Sequence, residues 1–233
     1  VEAIRRAAML DTLGLDAEVR FENDRIMREA MSAEATLATA TALRDAGRPA
    51  MALRLAQRAL DRGAAPDSAL LRLLYPFTAR EALEADSRAL ELSPFLMAGL
   101  IRQESAFDPL ARSRADARGL MQVMPAVGAS YARGESIDDW DTVLLYQPDL
   151  NVHFGLKHFS ERLAACGGQI EATLAAYNAG EGPVNRWLKR AGTADPEVFI
   201  ERIPYVETRD YVRRVRYNEA RYESLYGKPK PIP

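Results

Sequence analysis

One cysteine, Cys166, and two histidines, His153 and His158, are the only residues of those types in 233. A lone thiol closes no intramolecular disulfide. With so few soft ligands the usual four-ligand zinc sets cannot be assembled, and five residues of spacing puts the two imidazoles roughly 140° apart on a helix. No metal and no cofactor is expected. Long apolar runs are also missing. Arg, Asp or Glu interrupts every hydrophobic stretch before the ~18–20 residues a bilayer span requires, so no integral membrane segment is expected. A surplus of positive charge is missing too: 31 Lys and Arg against 33 Asp and Glu give a formal charge of -2. A nucleic-acid binder needs a basic stripe to displace phosphate counterions, so that class is excluded on charge. The chain starts at Val1 with neither a charged leader nor a hydrophobic signal core, and any targeting segment is expected to lie outside it. Composition alone names no compartment.

What remains is 48% apolar and 27% charged residues, the balance of an ordinary globular chain. At this length folding buries roughly 70–75% of the unfolded surface. Few breakers interrupt Asp16 to Arg44, Gly47-Arg48-Pro49 marks a turn, and Leu53, Ala56 and Leu60 share a face of the next stretch. This predicts a helical pair. Asp67 or Ser68 then caps a short helix through Leu74, which Tyr75-Pro76 stops. A boundary is placed there, dividing a helical segment, residues 1–75, from a second domain, residues 76–233. Stacked helix pairs are the mark of solenoids, but neither a fixed period nor matching turn residues establish a repeat. Solenoid and simple helical packing both stay open. Beyond Pro76, stretches of helical spacing alternate with loops containing Ser-Pro, Asp-Pro, Met-Pro, Gly-Gly and Gly-Pro. Only Leu120 to Met124 is ambiguous between strand and loop. The fold class is mainly α.

Ser93-Pro94 is a helix start: the serine caps, and the proline fills the first position, where no amide is missed. On the helix that follows, to about Ala106, Leu96, Met97, Leu100 and Ile101 form the apolar stripe, and its continuation falls on Glu104. A carboxyl on the core side, at the negative end of the helix dipole, is favoured in its protonated form. A proton held near neutral pH is what a general acid requires. The alternative is a glutamate that reaches water, or an arginine such as Arg102, from a helix end.

Four spaced motifs accompany Glu104-Ser105. They are Ser113 through Pro125, which includes Gly119-Leu120-Met121-Gln122; Asn151 with Gly155; Ala176-Tyr177-Asn178-Ala179-Gly180; and Ile203-Pro204-Tyr205-Val206-Glu207-Thr208-Arg209-Asp210-Tyr211-Val212. In this order the set resembles the lytic transglycosylases of the soluble, lysozyme-like type, which cleave bacterial peptidoglycan. The likeness is close from Ser93 to about Leu188.

That resemblance implies a lysozyme-like catalytic domain, peptidoglycan glycan strands as the partner and a periplasmic or envelope location. It implies that Glu104 serves as both acid and base: it protonates the oxygen between N-acetylmuramic acid and N-acetylglucosamine, then deprotonates the C6 hydroxyl that closes a 1,6-anhydro ring. No water is added, so the second carboxylate of a hydrolase is dispensable. The resemblance assigns Gln122 and Met124 to the glycan groove, with Met121 offering further apolar surface, and makes Ser113 a groove hydroxyl. Their plain alternatives are loop packing and a turn. Ser105 lies either near the catalytic carboxyl or on a helix-end backbone bond. Tyr177 is implied to line the site, with Asn178 mainly turn architecture beside Gly180. Asn151 and Gly155 read as scaffold, an N-cap and a close-packing glycine. Glu207 contacts the groove or pairs with Arg209 or a neighbouring arginine. Asp138-Asp139-Trp140-Asp141 lacks the glycine and closing glutamate of a calcium loop. One departure is Asp116, which stands where the family pattern commonly has glycine; aspartate tolerates positive φ better than most residues. A hydrolytic muramidase using Glu207, and a silent glycan-binding scaffold, are the competing readings.

Overall fold

The computed structural model describes residues 2–29, 32–78, 80–191 and 195–227. It divides into two compact units, Val1–Thr78 and Ala79–Pro233. In the first, α1 (Glu2–Thr12) packs on α2 (Asp16–Glu29), α3 (Ala33–Asp45) packs on α4 (Pro49–Asp61), and α5 (Ser68–Leu74) closes onto α3 and α4. The stretch expected to run helical from Asp16 to Arg44 is therefore two helices. Ser32 starts the second, its Oγ accepting from the Ala35 amide at 3.1 Å; residues 30 and 31 lie outside those described. The small residues Ala52, Ala56 and Ala59 of α4 are buried with Leu55, as an amphipathic helix requires. Asp67 caps α5 through Leu70 N at 2.8 Å, and the helix ends at Leu74, before Tyr75-Pro76.

The second unit contains α6 (Arg80–Ala89), α7 (Pro94–Ser105), α8 (Pro125–Gly134), α9 (Pro148–Ala165), α10 (Ile170–Ala179), α11 (Glu181–Ala191), α12 (Pro196–Glu201) and α13 (Val206–Tyr226). A 3₁₀ turn, Thr142–Tyr146, is capped by Asp141, so the acidic loop ends as a helix cap. Among the described residues no group of side chains could hold a metal ion, and no helix is long and apolar enough to cross a membrane. Leu120 to Met124 is not a strand. The Arg118 and Val123 amides and carbonyls exchange two 3.0 Å bonds across a tight loop, and a second isolated bridge joins Arg118 to Arg112.

The middle helix is α7. Leu96, Met97, Ala98, Gly99, Leu100 and Ile101 are all buried, so the helix is enclosed around its circumference rather than on one stripe. Ser93 caps it through Leu96 N at 3.2 Å, with Pro94 at its first position. At the other end Ala106 and Phe107 both take positive φ, 51° and 62°, which turns the chain sharply after Ser105. Phe107, 2% exposed, is anchored against Tyr222 of α13. The long helix α13 runs along α7, its backbone close at Gly99: a Cβ there would lie 2.9 Å from the Glu219 amide nitrogen and 3.1 Å from the Val215 carbonyl. Asn218, 3% exposed, ties the two helices, donating to the Gly99 carbonyl at 3.2 Å while accepting from Arg102 at 3.3 Å.

Gly99→Ala gains about 1 kcal/mol of helix propensity but forces two backbones apart, a cost of ~1–3 kcal/mol for overpacking. The expected outcome is a lower urea midpoint at unchanged slope, and a variant more stable than the parent would show the contact to be slack.

Candidate active site

Glu104 lies in the last turn of α7, where the chain leaves the core. Its side chain is half-buried, with one edge on a cleft of about 390 Å³ bordered also by Gln103, Asn178, Glu207, Asp210, Tyr211 and Arg214. The Tyr211 hydroxyl donates a short hydrogen bond to Glu104 Oε1. Tyr211 comes from the second turn of α13 and is 6% exposed. The contact with α7 at Gly99 thus sets the register that brings phenol and carboxyl together.

Burial raises the Glu104 carboxyl from its ordinary 4.5 to about 7, against a downward pull from the Tyr211 hydrogen bond. The Tyr211 and Tyr177 phenols are pushed well above their ordinary value of 10.0, first by burial and next by the charge of Glu104. Both therefore stay protonated, as hydrogen-bond donors, across the neutral range. His158, whose ring edge meets Tyr177 at 5.8 Å, is lowered to about 4 by burial and by Arg162, and so is neutral. The arrangement offers one carboxyl half-loaded with its proton near pH 7 and open on one side to a polar cleft.

The loop before α8 is fixed from below. Asn151, fully buried, accepts from Met121 N at 2.7 Å and donates to the carbonyls of Arg118 and Leu145, both at 2.8 Å. It is scaffold, but not an N-cap: Gln147 and Pro148 start α9 and Asn151 sits within it. Gly155 leaves room for Met121, whose Sδ would lie 2.4 Å from an added Cβ. The Tyr177 hydroxyl donates to the Met121 carbonyl at 2.8 Å. Asp116 takes φ 69°, in the left-handed region, and its carboxylate pairs with Arg112 at 2.5 Å and Arg118 at 3.2 Å, which holds its pKa below the ordinary range. An acid in place of glycine is accommodated because two arginines hold it.

The family model described as the Transglycosylase SLT domain matches residues 81–200. The chain belongs to this family. Among curated relatives of the SLT domain, the soluble lytic murein transglycosylase of Salmonella typhimurium is 32% identical over 160 residues, 68% of this chain and 25% of that protein. The soluble lytic murein transglycosylase of Escherichia coli is 32% identical over 155 residues, 66% and 24% of the two chains. Among solved structures, the lytic transglycosylase Slt of Pseudomonas aeruginosa, in an inactive glutamate-to-glutamine mutant, superposes with a TM-score of 0.80 at 30% identity, covering 99% of this chain and 36% of that one. The 70 kDa soluble lytic transglycosylase of Escherichia coli gives 0.82 at 26%, covering 97% and 36%. The fold is thus mainly α and lysozyme-like. The chain spans about a quarter of the curated relatives it matches.

The cleft brings together Glu104, Asn178 and Glu207 of the residues singled out from sequence. Asn178 lies inside α10, only Gly180 taking positive φ, and its Oδ1 accepts from Thr208 of α13 at 2.7 Å. It is therefore a strut between two cleft walls rather than a turn residue. Glu207 is exposed and makes no ion pair among the described residues, so the expected pairing with Arg209 is not formed. Others are placed differently. Met121 is fully buried and packs the core instead of offering a sugar face. Gln122 Nε2 braces the loop through the Gly119 carbonyl at 2.9 Å and the Ala111 carbonyl at 3.3 Å. Ser113 Oγ accepts from the Ala115 and Ala117 amides, the turn alternative. Ser105 Oγ donates to the Ile101 carbonyl at 3.2 Å, the helix-end alternative. Met124 is exposed and precedes α8. Sequence reasoning passed over Tyr211. The available signal was its place four residues after Glu207, on the same helical face.

Tyr211→Phe removes the hydrogen bond that favours the ionised carboxyl, so carboxyl titration by ¹³C NMR is expected to show Glu104 moved up by roughly one unit. An unmoved or lowered value would contradict the assigned geometry. The same shift links to stability. Between pH 4.5 and about 7 the folded protein holds a proton the unfolded chain releases, so stability falls as pH rises through that window. Glu104→Gln removes the penalty. Its advantage over the parent in chemical denaturation should be absent below pH 4.5 and grow to at most ~3 kcal/mol above pH 7.

Proposed function

We propose that this SLT domain is a lytic transglycosylase that cleaves the β-1,4 bond between N-acetylmuramic acid and N-acetylglucosamine in peptidoglycan, leaving a 1,6-anhydro end. The observation that supports this most directly is the Glu104 carboxyl, raised to about 7, bordering a polar cleft. The names of the relatives, and the inactivity of the glutamate-to-glutamine form of the Pseudomonas protein, point the same way.

In the first step protonated Glu104 donates to the glycosidic oxygen as the bond to the anomeric carbon breaks. Tyr211 donates to Oε1, so Oε2 is the oxygen without that bond and the one assigned the transferable proton. The carboxylate so formed is stabilised by the Tyr211 hydroxyl, which donates more strongly to an ionised acceptor. In the second step the muramic C6 hydroxyl loses its proton to Glu104 and closes on the anomeric carbon. The enzyme ends as it began, protonated, and no water is consumed. An acid with a pKa near 7 serves both steps better than one near 4, because donor and acceptor forms are then similar in energy. The place of action that follows is the bacterial cell envelope.

A second reading has one observation in its favour. Glu207 borders the same cleft without an ion pair to any of the described residues, where a hydrolytic muramidase would keep a water-activating carboxylate.

Mass spectrometry of digested peptidoglycan separates the two: the anhydro product is lighter by one water, and a hydrated product would replace the first reading with the second. Glu104→Gln is expected to lower the rate on cell-wall sacculi by on the order of 10²–10⁴-fold; a variant that digests them as fast as the parent overturns the assignment of Glu104 as the acid. Because the entering form is the acid, kcat/KM should fall about tenfold per pH unit above about 7.

A further inference from the structure

His158 is a half-buried imidazole that the acid–base scheme leaves unused, and two neighbouring helices press aromatic rings against it. From the middle of α9 its ring meets Tyr131 of α8 edge-on, with centroids 6.1 Å apart, and Tyr177 of α10 in the same way at 5.8 Å. Tyr177 is the neighbour that bears on the site. Its hydroxyl fixes the Met121 carbonyl at 2.8 Å, its phenol feels the charge of Glu104, and the next residue along α10, Asn178, borders the cleft. A displaced Tyr177 ring would carry the Met121 loop and one cleft wall with it.

The hydrogen bonds around His158 fix its protonation state. Nδ1 faces the Tyr131 hydroxyl at 3.1 Å and Arg162 Nη1 at 3.3 Å. Tyr131 gives its one proton to Glu161 Oε2 at 2.6 Å, and a guanidinium only donates. Nδ1 therefore accepts from Arg162, and the ring is the neutral form with its proton on Nε2. The charged groups around it are Glu161 and Arg162 of its own helix, Glu181 of α11, which pairs with Arg162 at 3.3 Å, and Lys157, whose ammonium lies 4.9 Å from the centre of the Tyr131 ring. Both carboxylates are engaged, Glu161 by Tyr131 and Glu181 by Arg162. A proton added to Nδ1 sets its N–H against that of Arg162, which agrees with burial and Arg162 holding this histidine down to about 4.

We propose that His158 is a positioning residue for the Glu104 reaction: the neutral imidazole braces the Tyr177 ring, and a charged one, driven off Arg162, lets Tyr177, the Met121 carbonyl and Asn178 move out of register with the acid. The proposal rests on the reading of Glu104 as an acid acting on peptidoglycan. It places control of the cleft's geometry on α9, a helix none of whose described residues borders the cleft.

The test measures kcat and KM of the full chain on soluble peptidoglycan strands, with circular dichroism confirming the fold. At neutral pH His158→Ala, which removes the ring that aligns Tyr177, is expected to lose about tenfold in kcat at nearly unchanged KM. His158→Phe keeps the ring edge and is expected to recover most of that loss. On acidification the parent's kcat is expected to fall with a midpoint near the His158 value of about 4, a component that His158→Phe lacks because its ring takes up no proton. In the unmodified protein the Met121 methyl signal in NMR should shift with the same midpoint as the His158 ring. A parent kcat matched by His158→Ala, an acid limb unchanged in His158→Phe, or a Met121 methyl that stays still while His158 titrates overturns the positioning role. A parent inactive at every pH refutes the functional reading itself, a distinguishable result.

Discussion

The structure depends on keeping one carboxyl largely out of water at the end of a helix that is apolar on every side. Ionising a carboxyl in such a place is costly, and the Tyr211 hydroxyl offsets only part of that cost. The outcome is a group near 7 rather than near 4 or permanently neutral. Burial without the phenol would favour a carboxyl that rarely releases its proton. The phenol without burial would favour one that rarely holds it. The balance is available because α7 and α13 approach closely at Gly99, and the same approach brings Tyr211 to Glu104.

The loop before α8 has its own support. Met121 belongs to the core by its side chain, while its amide and carbonyl are held by Asn151 and Tyr177. Residues that look functional in the Gly119-Leu120-Met121-Gln122 motif are in large part the means by which a short loop is fixed without secondary structure. Asp116 shows the same economy, since the left-handed backbone it adopts is stabilised by two arginine pairs rather than by the absence of a side chain. Rigid loops of this kind suit acid catalysis, where the carboxyl must meet its oxygen within a few tenths of an ångström.

Periodicity and capping made much of the fold legible. Ser93-Pro94 and Pro125 give the starts of α7 and α8, and Asp67 starts α5, because capping is a property of a few consecutive residues. Glu104 was legible for the same reason, as an acid falling on an apolar stripe. The division of Asp16 to Arg44 at Ser32 was not, since a serine among helix formers signals a cap only weakly. Nor was the true place of Asn151, which resembles a helix start but is a buried clamp within α9.

The sequence by itself determined the helical class, the capped ends of the helices and the position of one core-facing glutamate, all set by interactions within a few residues along the chain. Only the tertiary structure decided which side chains share the cleft. Tyr211 lies 107 residues from Glu104, and Met121 and Tyr177 are separated by 56. Such pairings are fixed by how helices pack, and close packing reads shape and volume across the whole domain, which no local pattern of residues encodes.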